Sequence, residues 1–145
     1  MSPEEVMREV LDRMTVGEEP TARRILDPQR ILAARRLVHE VYADERIKEY
    51  VLDLISATRR PAEAGAPELV PLIEYGASPR AAIFLLRAAK AHAFLHGRAY
   101  VHPDDVKALG LDVLRHRVIL TYRADAEGKD PDAVVRRILE AVPVP

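Results

Sequence analysis

Cysteine is absent from the 145 residues, which removes a disulfide framework, a thiol nucleophile, Cys-ligated zinc and iron–sulfur chemistry together. Tryptophan is absent too, phenylalanine occurs twice, and aromatics make up 5% of the chain. Aliphatic side chains on helices must therefore supply most of any core, and interfaces built on Trp anchors are excluded. Neither sign of charge dominates: 22 Lys and Arg stand against 23 Asp and Glu, a formal net charge of -1. That balance removes the strong electrostatic case for nucleic acid or an acidic membrane as the main partner. Long hydrophobic runs are missing as well. The most apolar stretch, Ala81 to Leu95, is interrupted by Arg87 and Lys90, and Met1-Ser2-Pro3-Glu4-Glu5 has neither a basic n-region nor an apolar h-region. The expectation is a cytoplasmic protein with no signal peptide and no transmembrane span. The six glycines, at 17, 65, 76, 97, 110 and 128, stand too far apart to build a phosphate-cradling loop, and no G-x-x-x-x-G-K-[ST], H-E-x-x-H, G-x-S-x-G or G-x-G-x-x-G occurs.

What is present is 48% hydrophobic and 31% charged residues, enough for one buried core under a well-solvated surface. Val6, Val10 and Met14, with Met7 and Leu11 alongside, predict a short amphipathic helix from Pro3 to Met14, with Ser2 as cap and Pro3 at the first position. Gly17 through Pro20 breaks it, and the polar segment that follows reads as a linker. Asp27-Pro28 starts a second helix to about Tyr42, and Asp44 caps a third. In that third helix Ile47, Tyr50, Val51, Leu54 and Ile55 fall at i, i+3, i+4, i+7 and i+8, the sharpest period in the chain.

Between Arg59 and Ser78 the pattern stops; Pro61, Gly65, Pro67, Pro71 and Gly76 forbid a long helix or a central strand. The longest helix then opens at Ser78-Pro79-Arg80 and ends at Gly97. Its apolar residues run nearly all the way round, as expected of a central helix with neighbours on several sides. Pro103-Asp104-Asp105-Val106 begins a short helix, predicted to break at Gly110 and resume from Asp112 to about Arg117. Val118 to Tyr122 is β-prone, and the last helix runs from Pro131 to about Ala141 with Asp130 as its cap. The sum is an all-α fold, a small helical bundle with at most one short strand or hairpin near 118–122.

Four groups of residues bear on chemistry. His92 and His96 share a helical face and His102 follows after a turn, so three imidazoles could meet around a metal; each also has a plain structural use as a face, end or cap residue. Asp104 and Asp105 sit in a first helical turn, where negative charge offsets the dipole. Basic residues cluster at Arg23, Arg24, Arg30, Arg35 and Arg36 and again at Arg115, His116, Arg117 and Arg123. They read as a solvated face, paired with the acidic N-terminal helix, rather than a nucleic-acid surface. Arg80 is different: a guanidinium in the first turn of a helix adds a planar fork of donors to a terminus whose free amides already attract anions. Spacing alone leaves an anion ligand and a surface arginine both open, because first-turn cations oppose the dipole.

The residues Tyr75-Gly76-Ala77-Ser78-Pro79-Arg80-Ala81, then Leu86-Arg87-Ala88-Ala89-Lys90-Ala91, Gly97-Arg98 and Tyr100-Val101, come in a specific order. They continue through Pro103-Asp104-Asp105-Val106 and Val113-Leu114-Arg115-His116-Arg117 to the ending Ile138-Leu139-Glu140-Ala141-Val142-Pro143-Val144-Pro145. Together they resemble the C-terminal helical lid domain of MoxR-type AAA+ ATPases, from about Leu26 to the last residue. The resemblance implies that residues 1–25 are the connecting helix and linker from an ATPase core and residues 26–145 the lid. It places the sensor-2 role, contact with the γ-phosphate of ATP, on Arg80, with Ser78 and Pro79 positioning the helix start. It implies ATP and Mg2+ in the full-length protein, a core domain with Walker A and B that this chain lacks, and hence no activity alone. Hexameric rings, partners with von Willebrand A domains, and chaperone-like maturation or metal insertion into client proteins follow from the same resemblance. The rival expectation is a free-standing helical adaptor binding protein or nucleic acid through its basic faces. His102 departs from the family's usual Ser or Thr cap.

Overall fold

A computed structural model describes residues 2–15 and 23–145. Seven α-helices and one two-stranded sheet are formed among them, as the all-α expectation required. The helix break expected at Gly17–Pro20 lies outside the described residues, as does the start of the linker expected after it. The chain divides into two compact units, residues 1–33 and 34–145, the division falling inside the second helix.

In the first unit, α1 (Pro3–Thr15) begins with a reciprocal cap. The Glu5 amide donates to Ser2 Oγ at 3.2 Å, and the Ser2 amide donates to Glu5 Oε2 at 2.6 Å. Two otherwise orphaned amides are thereby satisfied, and Pro3 supplies a position that needs none. The apolar stripe Val6, Met7, Val10, Leu11 and Met14 is exposed. The second helix, α2 (Pro28–Glu40), starts as predicted, with the Gln29 amide donating to Asp27 Oδ1 at 3.0 Å. It stops short of the predicted end at Tyr42, because Tyr42 is in extended backbone: its amide donates to Ala99 O at 2.8 Å, and the Val101 amide donates to Tyr42 O at 2.9 Å.

The second unit is built on α3 (Glu45–Arg59), α4 (Pro79–Leu95), α5 (Pro103–Leu114) and α7 (Pro131–Ala141), with α3 and α5 against α4 and α7 against both α3 and α5. The period read in α3 is the buried face: Ile47, Tyr50, Val51, Leu54 and Ile55 all lie in the core. With Leu85 of α4, Val106 and Leu114 of α5, and Val134, Val135 and Ile138 of α7 they form one continuous apolar cluster. The apolar residues of α4 run nearly all the way round, yet its buried positions lie on one face. Ala81, Ala82, Leu85, Ala89 and Ala93 are buried, while Ile83, Phe84 and Leu95 are exposed. The small side chains of that buried face let α3 and α5 approach closely, since alanine keeps backbones near one another at no rotamer cost.

Three further elements differ from expectation, each for a local reason. The helix α5 runs through Gly110 without a break. A Cβ there would lie 2.8 Å from Leu139 Cδ2, so this glycine marks close packing against α7 rather than a helix stop. Only Ile119–Leu120 is strand (β2), and it has a partner inside the irregular segment: β1, Ile73–Tyr75, pairs with it antiparallel, Ile73 opposite Leu120 and Tyr75 opposite Ile119 across a bulge. Thr121 then locks the pair to the loop, its amide donating to Leu72 O at 2.9 Å and its hydroxyl to Pro71 O at 2.8 Å, and Tyr122–Ala126 forms a short helix, α6, that the β-prone reading missed.

Leu85, fully buried where α3, α4 and α5 meet, is expected to lose about 2–5 kcal/mol on truncation to Ala. Leu86, its half-buried neighbour, should lose less. Urea unfolding of the two variants checks the order.

Candidate functional site

The Gly76–Arg80 turn sits on the C-terminal end of α3. Thr58, fully buried there, donates its hydroxyl to Ile55 O at 2.7 Å and accepts the Ala77 amide at 2.9 Å. Gly76 lies so close to this end that a Cβ would fall 2.4 Å from Thr58 O and 2.7 Å from Arg59 Cγ. Its φ is not in the left-handed region, so the glycine is required by proximity and not by conformation. Pro79 occupies the first position of α4, as predicted. Ser78 holds the cap position in extended backbone (φ -72°, ψ 157°), but its hydroxyl makes no capping hydrogen bond. The first turn of α4 is thus left without a side-chain acceptor from its own cap; Pro79 has no N–H and the Ala81 amide donates to Ser78 O at 2.8 Å, so what the terminus offers an outside anion is chiefly its dipole.

Arg80 follows directly, exposed, and takes part in none of the ion pairs among the described residues. Beside it, Leu52, Ile55, Ser56, Arg59, Arg60 and Pro79 line an open cleft of about 510 Å³. Arg60 is committed within its own segment, to Ser56 Oγ at 3.1 Å and Glu63 at 3.3 Å. The result is a guanidinium at an uncapped helix start, held on a rigid backbone clamp: an arrangement that suits a phosphate, which Arg binds bidentately.

The histidines do not converge. His92 Nδ1 lies 2.6 Å from Asp105 Oδ1, His96 Nδ1 lies 2.8 Å from the His92 carbonyl, and the His92 and His96 ring centroids are 4.3 Å apart with the rings tilted by 40°. His102 caps α5, the Asp104 amide donating to its Nδ1 at 3.5 Å while its own amide donates to Asp105 Oδ2 at 2.7 Å. An imidazole thus stands in for the usual hydroxyl cap. No group of three or more metal-binding side chains occurs among the described residues.

Asp104 is exposed, whereas Asp105 is 1% exposed and carries the densest polar network of the unit. Arg98 grips it with both nitrogens, at 2.7 and 2.5 Å, and His92 and the His102 amide complete the shell. Burial pushes the Asp105 carboxyl up, but the hydrogen bonds from Arg98, His92 and His102 outweigh it and hold the group well below the usual carboxylate range. This is a structural tie from α5 to the end of α4. Sequence reasoning assigned Asp105 only to the helix dipole, because nothing in the spacing brings residues 92, 98 and 105 together before the turn at Gly97 is known.

The second basic cluster is also spent internally. Arg115 pairs with Asp112 at 2.7 Å and Asp132 at 3.3 Å, Arg123 with Glu127 at 2.7 Å, and Arg117 lies over the Phe84 ring at 5.2 Å. No helix of the described residues is long and apolar enough to cross a membrane.

The unit is a helical bundle with one small two-stranded sheet and an exposed arginine at the start of its longest helix. The family model for the AAA lid domain matches residues 70–138. Chaperone MoxR1 of Mycobacterium tuberculosis is 38% identical over 144 residues, covering 99% of this chain and 38% of that protein. Protein MoxR of Methylorubrum extorquens is 37% identical over 141 residues, covering 92% of this chain and 40% of its own length. A crystal structure of a candidate ATPase from Cytophaga hutchinsonii superposes with a TM-score of 0.89 at 37% identity, over 100% of this chain and 44% of that one. The chain belongs to the lid domains of MoxR-type AAA+ ATPases. It spans well under half the length of the relatives it matches.

The depressed Asp105 carboxyl makes a signed prediction. Its contribution to folding is complete above the ordinary carboxyl value of 3.8 and is lost as pH falls through the lower folded-state value. Asp105→Asn should lower stability near neutrality by about 2 kcal/mol. It should also flatten the acid limb of stability against pH, as read from urea midpoints between neutral and strongly acid buffer.

Proposed function

We propose that this chain completes the nucleotide site of a MoxR-type ATPase as its lid, with Arg80 as the sensor-2 contact to the γ-phosphate. The observation that carries the reading is the start of α4: a guanidinium without an intramolecular ion pair among the described residues, on an open helix terminus held against α3. Ser78 and Pro79 set the direction of that terminus. Residues 1–25 serve as the connection from the core and residues 26–145 as the lid proper.

The residues present fit one phosphate contact. They do not fit a Mg2+ site, since no cluster of metal-binding side chains occurs among the described residues, so the magnesium ligands and the Walker residues belong to the core. ATP, when bound between core and lid, would supply a phosphoanhydride bond whose cleavage removes the group that Arg80 holds. What the chain itself contributes is a fixed positive charge, always protonated and able to bind two oxygens at once. Because Arg80 is rooted in α4 and α4 in the core of the unit, loss of that contact acts on the lid as a body. In this reading nucleotide state drives chaperone-like remodelling or metal insertion in client proteins; the hexameric ring, the von Willebrand A domain partner and the cytoplasmic location that go with it rest on the family resemblance alone. The name of the mycobacterial relative, a chaperone, agrees with the first of these.

ATP turnover decides the matter. The chain alone should be silent, and joining it to its ATPase core should restore activity; turnover by the chain alone overturns the lid reading. In the joined protein, Arg80→Ala should lower kcat on the order of a hundredfold while nucleotide still binds. As an exposed first-turn residue it should leave the unfolding midpoint within about 0.5 kcal/mol of the parent.

A further inference from the structure

The start of α4 is held from outside its own helix. Thr58 is the last fully buried side chain of α3, and its hydroxyl is used twice, donating to Ile55 O at 2.7 Å and accepting the Ala77 amide at 2.9 Å. The second bond crosses 19 residues of sequence and lands three residues before Arg80. The neighbouring residue, Gly76, has no room for a side chain, with a Cβ placed 2.4 Å from Thr58 O. On the far side of Ala77, the Ser78 hydroxyl makes no cap hydrogen bond, and only its carbonyl joins the helix, accepting the Ala81 amide at 2.8 Å. The turn that aims Arg80 therefore takes its position on α3 from one hydroxyl and one backbone contact, with no side-chain bond from its own cap.

We propose that Thr58 is a positioning residue for the γ-phosphate contact, acting through the Ala77 amide to fix the direction from which Arg80 leaves α4. The inference rests on the reading of Arg80 as the sensor-2 residue and goes beyond it by naming what holds that residue in place. Threonine suits the task because its γ-methyl fills a dry site while its hydroxyl both donates and accepts. Valine has the same shape without the hydroxyl, so Thr58→Val leaves the Ala77 amide buried and unpartnered and frees the turn to shift. Thr58→Ser keeps the bond and loses only the methyl.

The test has two readouts. In the isolated chain, amide exchange at Ala77 should quicken in Thr58→Val and stay slow in Thr58→Ser. In the protein joined to its core, ATP turnover is measured per folded molecule, with the folded fraction taken from circular dichroism at the assay temperature. Thr58→Val should lower kcat about tenfold or more with the KM for ATP within about twofold of the parent, as misplacement on the scale of an ångström does, and Thr58→Ser should stay close to the parent. Gly76→Ala presses on the same contact from the opposite side and should give the same split, so it carries the test if Thr58→Val does not fold. Parental kcat in Thr58→Val and Gly76→Ala, alongside a large loss in Arg80→Ala, overturns the positioning role and leaves the lid reading standing. Parental kcat in Arg80→Ala removes the phosphate reading and this inference with it. Equal losses in Thr58→Ser and Thr58→Val also overturn it, since the hydroxyl would then carry nothing.

Discussion

A buried carboxylate governs where the long helix ends. Asp105 cannot stay ionised in the interior unless donors surround it, because desolvation of a charge costs far more than one ordinary hydrogen bond returns. Four donors from three places meet that demand: the Arg98 fork beyond the end of α4, His92 within α4, and the His102 amide at the start of α5. The turn at Gly97 brings them together, and its positive φ of 70° is one glycine adopts without strain. The capping box at His102 then draws on the same carboxylate, so the end of α4, the connection and the start of α5 are one polar unit.

The opposite end of α4 is held by less. Thr58 and the close approach of Gly76 locate it, and between the two ends run Ala81, Leu85, Ala89 and Ala93, a buried row with no flexible side chains among the alanines. A helix anchored at one end by a charged network and seated along its length on small residues behaves as a lever rather than a spring, since interiors packed at crystal density transmit displacement. On the proposed reading of Arg80 as a phosphate contact, a displacement there passes along α4 to α5, which packs on it, and from α5 to α7.

The periodic parts of the fold were legible. The third helix was readable residue by residue because one face of a 3.6-residue period was both apolar and buried, and the caps Asp27, Asp44 and Asp130 act where they were expected. What failed were the places where local signals answer to distant partners. Gly110 reads as a helix stop in one dimension and is a contact with Leu139 in three. The pairing of Ile73–Tyr75 with Ile119–Leu120 joins segments more than forty residues apart, each too short to declare itself as a strand. At the site, Ser78-Pro79-Arg80 was visible as a helix start. The dependence of that start on Thr58 was not, because a threonine at the end of an amphipathic helix looks like any other, and only a glycine without left-handed φ hints that backbone is pressed on backbone there.

The apolar residues of α4 add one more constraint on the reading. Their near-complete circuit suggested burial on all sides, yet Ile83 and Phe84, one turn beyond Arg80, are exposed. Positions three and four apart share a helical face, so these two side chains project on the same side as the arginine. On the proposed reading of Arg80, a charged group that meets an anion and apolar side chains still open to water, Phe84 among them although the Arg117 guanidinium lies 5.2 Å over its ring, thus point the same way. The two demands are compatible only if what approaches this face of α4 brings both an anion and a dry surface. A free anion in solution satisfies the first demand alone, and an apolar peptide satisfies the second alone. A protein surface carrying a bound phosphate satisfies both, so under the proposed reading the face suits one wall of a shared nucleotide site better than a site of its own.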